Sequence, residues 1–196
     1  MKFIIYIIAF FIFTSCQTET SLKLDIPRNQ SVLKLYNSFK NQVNQLGLSA
    51  NPNSTIIRLW ETGPYTSHQL HQITIDSVNS TLCSFNIYDS WQTDPFVTNV
   101  DSVIIKCQTI SSKNIYQDLI NLGLDTLKSQ SDYSNFKDNI SDGIGYSLEI
   151  INTKKHKFIF YHCPASFNSK PDKTFLSILN KLERLIKLNR PLGCGK

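Results

Sequence analysis

The four stretches Ser54–Glu61 (STIIRLWE), Gln69–Ser77 (QLHQITIDS), Thr81–Asp89 (TLCSFNIYD) and Thr98–Thr109 (TNVDSVIIKCQT) decide the fold. Each is rich in β-branched or aromatic residues alternating with polar ones, and each is bounded by short turn-forming segments, the pattern of consecutive half-buried strands. Four such runs in succession predict an antiparallel meander. Within the first, alternation puts Ile57 and Leu59 on one face and Ile56, Arg58 and Trp60 on the other. A cation and an indole on the less buried side, with Tyr88, Trp91 and Tyr161, form a candidate protein interface, because Trp, Tyr and Arg are the usual anchors of such surfaces. A place beneath covering helices is the competing reading of the same five residues.

Working outward, Tyr146–Asn152 (YSLEIIN) and Lys157–Cys163 (KFIFYHC) flank a polar connector and predict a second hairpin. Helical spacing appears in three places. Val32, Leu35, Tyr36, Phe39, Val43 and Leu46 line one face of a helix over 31–46, with Ser31 as candidate N-cap and Gly47 as stop. Asn114–Leu122 reads as a short helix ended by Gly123. Pro171–Leu188 reads as a long one, with Phe175, Ile178, Leu179, Leu182, Leu185 and Ile186 on its apolar face. The expectation is an α+β fold: an antiparallel sheet of about six strands with helices packed on one face, leaving the other open for binding.

The N-terminus carries a different signal. Lys2 precedes an apolar run from Phe3 to Phe13, too short to span a bilayer, and Thr14-Ser15-Cys16 follows directly. This resembles the lipobox of bacterial lipoproteins, with Phe13 departing from the usual Leu or Val. The resemblance implies cleavage before Cys16, lipidation of that cysteine and attachment to a membrane. It divides the chain into a signal peptide (1–15), a lipidated cysteine and polar tether (16–29) and a single domain (30–196). Gln17 rather than Asp after the cysteine implies the periplasmic face of an outer membrane, with surface exposure as the variant.

Cleavage removes one lysine and no acid, taking the formal charge from +5 to +4. That is too little, and too dispersed, for a nucleic-acid binder. Four cysteines then remain besides the anchor: Cys83, Cys107, Cys163 and Cys194. An oxidising compartment favours pairing them. In a hairpin turning at Asp94-Pro95, Cys83 and Cys107 fall opposite each other, which leaves Cys163 with Cys194.

The segment Asp142-Gly143-Ile144-Gly145-Tyr146-Ser147-Leu148-Glu149, then Phe158–Pro164 (FIFYHCP), then a terminal helix, resembles the ending of small Bacteroidetes-type envelope lipoproteins. The resemblance covers the last third of the chain and implies fold and location, with no chemistry assigned to Asp142, Gly143, Tyr146, Glu149 or Pro164. Asp76-Ser77-Val78, Asp101-Ser102-Val103 and Asp125-Thr126-Leu127 resemble O-glycosylation acceptors of the same bacteria.

Catalytic patterns are weak. His68 and His71, three apart on a strand, point to opposite faces, so a zinc site with His162 and Cys163 is not expected. No Gly-x-Ser-x-Gly or phosphate loop occurs. Paired carboxylates such as Glu61 with Asp142 or Glu149 could serve a glycosidase, with solvated turn or sheet-face acids as the plainer reading. Lys181, Arg184, Lys187 and Arg190 put basic charge on the last helix, as a solvated face or a headgroup contact. The sequence thus predicts a non-enzymatic envelope lipoprotein, without cofactor or metal, that binds a protein or envelope component. An immunity-type protein against an incoming toxin and a small-ligand carrier or hydrolase are the alternatives.

Overall fold

A computed structural model of the chain describes residues 23–48, 50–51, 53–63, 67–77, 79–90, 99–111, 114–136 and 143–186. The four alternating stretches form the expected meander, β2 (Thr55–Thr62), β3 (Ser67–Ile75), β4 (Ser80–Ser90) and β5 (Asn99–Ile110). The second hairpin is β6 (Gly145–Ile151) and β7 (Lys155–His162), and β6 pairs antiparallel with β2. A further strand, β1 (Lys23–Asp25), lies parallel to β7 with Lys23 opposite Lys155. The sheet is therefore seven-stranded and mixed, in the order β1-β7-β6-β2-β3-β4-β5, not a six-stranded antiparallel one. Residues 23–25, read from the sequence as tether, belong to the sheet because Lys157, itself 2% exposed, reaches Asp25 Oδ2 at 2.8 Å.

Helices cover both faces, which corrects the expectation of one open face. Helix α1 (Gln30–Gln45) drops Val32, Tyr36, Phe39 and Val43 onto Trp60, Leu70, Phe85, Ile87 and Phe158. Helices α2 (Ile115–Asn121) and α3 (Lys170–Ile186) bury Ile115, Leu119, Phe175, Ile178, Leu179 and Leu182 against Ile57, Leu59, Ile73, Leu148, Ile159 and Tyr161. Five consecutive residues of β2 and six of β6 are buried for this reason, as in any central strand packed on two sides. The cap of α1 is Asn29, not Ser31: its side-chain oxygen accepts from the backbone N–H of Ser31 at 3.0 Å and Val32 at 3.3 Å. Gly47 and Gly123, at φ +66° and +100°, end α1 and α2 in the left-handed conformation that glycine adopts at low cost.

Cys83 and Cys107 are directly opposed on β4 and β5 and form a disulfide, with Cα atoms 4.1 Å apart. Cys163 is disulfide-bonded and fully buried; Cys194 lies outside the described residues. The Cys83–Cys107 bridge closes a 24-residue separation, for which the chain-entropy model gives about 3 kcal/mol. A Cys83→Ser/Cys107→Ser variant is expected to lose that much in urea denaturation; an unchanged midpoint would mean that the reduced hairpin is already held by its own ladder.

Candidate functional site

The residues proposed from sequence as one interface separate in space. Arg58 (3% exposed), Trp60 (1%) and Tyr161 (0%) are core residues, Tyr88 is 43% exposed, and Trp91 lies outside the described residues. Arg58 is held beneath α1 by an acceptor on each of its three nitrogens. Its Nη1 donates to Glu149 Oε2 at 2.9 Å, Nε to Gln72 Oε1 at 2.7 Å, and Nη2 to the Leu48 carbonyl at 2.8 Å. The other oxygen of Glu149 meets His156 Nε2 at 2.7 Å, and Tyr36 packs edge-on against the His156 ring. Burial, with Glu149 next, pushes the Tyr36 hydroxyl up. Each guanidinium nitrogen of Arg58 and both oxygens of Glu149 have a partner inside the protein, so the network reads as architecture.

The motif of the last third is structural in the same sense. Tyr146 and Glu149, three apart on β6, point to opposite faces, the first into the α3 core and the second to Arg58. Pro164 is buried in the short turn after β7, Gly143 is half-buried, and Asp142 lies outside the described residues. Glu61 does not share a face with Glu149, because Arg58 is opposite Glu149 and Glu61 is three positions further along β2. The carboxylate pair a glycosidase would need does not form from these two.

Sequence reasoning missed a polar chain across β2, β3 and β4. Ser84 Oγ lies 2.9 Å from His71 Nδ1, and His71 Nε2 lies 3.8 Å from Glu61 Oε1. The order is that of a nucleophilic relay, but 3.8 Å is beyond hydrogen-bond reach, so Glu61 does not orient the ring. His71 opposite Ser84 on adjacent strands follows from register, which no local spacing reveals. Glu183 of α3 extends the cluster: burial, then the charge of Glu61, pushes its carboxyl up from about 4.5 to about 7. Between those values the folded chain holds a proton that the unfolded chain has released, so stability falls as pH rises through that window. Urea midpoints of the native protein are expected to drop from pH 5 to pH 8, and Glu183→Gln is expected to flatten that drop. Parallel curves for the two proteins would show that Glu183 ionises freely.

What the helices leave uncovered is the outer hairpin. On the α2/α3 side Tyr88 and Ile104 (50% exposed) stand in water beside Lys106 and Gln108, and on the α1 side Ile105 is 52% exposed. Strand β5 is an edge with no further strand beside it among the described residues. Residues 107 and 83 approach to 4.1 Å, the spacing of a non-hydrogen-bonded pair, so the N–H groups of Val103, Ile105 and Cys107 face the open side. Among the described residues this edge is blunted by Lys106, Asp101, one bulge at Tyr88/Asp89 and the Gln45 side chain, which accepts from the Val100 N–H at 2.9 Å.

Two of the clefts among the described residues bear on function. One of about 460 Å³ lies at the end of β7 between Phe136 and Phe167, whose rings meet edge-on at 5.2 Å. Its buried Asp172 accepts from Gln130 Nε2 at 2.8 Å and from the Ser169 hydroxyl. The other, about 580 Å³, is polar and lies where β1 begins. Among the described residues no group of three or more His, Cys, Asp or Glu is arranged to hold a metal, and no helix is long and apolar enough to cross a membrane. No family model matches the chain, and no curated protein matches it either.

Proposed function

We propose that the chain is a non-enzymatic envelope lipoprotein, held through lipid on Cys16 at the periplasmic face of an outer membrane, whose domain binds an extended protein segment along β5. The observation that carries the binding role is the twelve-residue edge of β5, with half-exposed isoleucines at 104 and 105 on its two faces. A strand added there satisfies the outward N–H groups and covers an apolar side chain on each face, the physics of strand addition. The lipid anchor rests on the Phe3–Cys16 pattern.

A photo-crosslinking residue at position 104, introduced into the chain in living cells, is expected to trap one discrete protein. Ile105→Pro deletes an outward N–H without touching the β4 ladder and is expected to abolish the adduct while the domain stays folded. An adduct indifferent to Ile105→Pro, or none above a control position at Lys173 on α3, would overturn strand addition. The Phe136–Phe167 cleft favours a second reading, a small-ligand carrier. It requires that apolar ligands raise the melting temperature and that Phe167→Ala cancel the rise.

A further inference from the structure

We propose that the end of the sheet where β1 begins is a membrane-docking surface, with Lys23, Leu24 and Lys154 resting on the anionic headgroups of the bilayer that holds the anchor. The inference rests on the lipidation of Cys16 proposed above. The chain enters the fold only seven residue steps after that cysteine, because Lys23 is already in β1, its N–H donating to the Lys154 carbonyl at 3.2 Å. At about 3.6 Å per residue the intervening chain reaches at most about 25 Å. Strand β5, at twelve residues, is itself about 40 Å long. A tether this short holds the bilayer close to the end of the sheet where β1 begins and far from the edge strand β5.

The entry point is fixed. Lys157 clamps Asp25, and Ile26 packs on the α1 core. Burial pushes the Lys157 ammonium down while the partly exposed Asp25 holds it up, so opening the clamp would leave a buried ammonium without its carboxylate.

The chemistry of this end suits a bilayer surface. Lys23 and Lys154 are exposed and form no ion pair among the described residues, whereas the neighbouring Lys155 is neutralised by Asp125 at 2.8 Å. Lys23, Lys154, Lys155 and Asn152 line the polar cleft of about 580 Å³, large enough for a phosphate headgroup. Leu24, 62% exposed, is the most exposed large apolar side chain of the described residues; it follows Lys23 on the edge strand β1 and projects from the other face, so the two straddle this end of the sheet. Lysines on headgroups with a leucine at the acyl boundary is the usual chemistry of a protein resting on a membrane. Docked this way, β5 stands at the opposite edge of the sheet from β1, open to a partner.

The test uses the full chain, extracted with its lipid and reconstituted into phosphatidylcholine vesicles with and without phosphatidylglycerol. Acylation of each lysine is read by peptide mass spectrometry, and flotation with intact mass reports the anchor. Lys23 and Lys154 are expected to label on the order of thirtyfold more slowly on the anionic vesicles, two headgroup contacts' worth, while Lys106 and Lys170 do not change. In Lys154→Glu, flotation is expected to persist and the protection of Lys23 to fall. Equal labelling of Lys23 and Lys154 on both vesicles, with flotation intact, overturns the docking surface and leaves the anchor standing. Loss of flotation with an unlipidated mass overturns the anchor, and the docking surface with it.

Discussion

Glu149→Ala is expected to cost about 3 to 5 kcal/mol in urea denaturation at neutral pH, the usual result of deleting one partner of a buried ion pair. Arg58 is 3% exposed and its Nη1 has no replacement for the Glu149 oxygen at 2.9 Å. Gln72 and the Leu48 carbonyl hold its other nitrogens but carry no negative charge. The guanidinium therefore stays in a low-dielectric site with its charge uncompensated, and His156 loses its 2.7 Å partner at the same time. Glu149→Gln keeps a hydrogen-bonding oxygen but removes the charge, and is expected to lose about 1.5 to 3 kcal/mol. Arg58→Met/Glu149→Leu is the informative control. Replacing both partners by apolar groups removes the desolvation penalty together with the attraction, so the double variant is expected to recover most of the loss. A Glu149→Ala loss below about 1 kcal/mol would mean that Arg58 swings to water, and that the site is a surface pair under a loose α1.

The same residue marks where the sequence stopped being legible. Period-two alternation in β2 to β7 and period-3.6 spacing in α1 and α3 locate all but one element of the sheet and both long helices, because they depend on neighbours two to four positions apart. Arg58, read by that local rule, belongs on a wetter face. It is buried because Glu149, opposite it on β6 and 91 positions away, brings a carboxylate to the same face. With Arg58 neutralised, Ile56 and Trp60 on that face can take a helix over them, and the sheet acquires a second covered side. Strand β1 was hidden for a related reason: three residues are too few to show a period, and their place is set by Lys157, 132 positions on. The Cys83–Cys107 pairing was legible because a hairpin makes register a matter of counting from the turn. His71 with Ser84 and Glu61 was not, since nothing in the intervening chain marks two side chains on neighbouring strands as bonded. Of the five residues grouped as an interface, Tyr88 alone among the described ones is exposed, because composition picks out aromatic anchors without saying which face of a sheet a helix will claim.

Trp60 and Tyr88 therefore separate core from surface in one experiment. Trp60 is 1% exposed, stacks on Phe39 at 4.9 Å and meets Phe158 edge-on at 6.5 Å. Trp60→Ala leaves a cavity on both sides of its ring and is expected to cost about 3 to 5 kcal/mol. The indole Nε1 is buried with no hydrogen-bond partner among the described residues, so it contributes a desolvation penalty and no bond. Trp60→Phe sheds that penalty while keeping an aromatic ring against Phe39, and is expected to cost far less than the alanine variant. Tyr88, 43% exposed on the uncovered side of β4, is expected to tolerate alanine within about 0.5 kcal/mol. If β5 is where a partner strand docks, Tyr88→Ala weakens the crosslink formed at position 104 while the urea midpoint stays put. Trp60→Ala moves the midpoint first and affects the crosslink only in proportion to the unfolded fraction. The reverse pattern, binding lost in a stable Trp60→Ala protein, would require α1 to lift from the sheet and expose the face on which Trp60 and Arg58 lie.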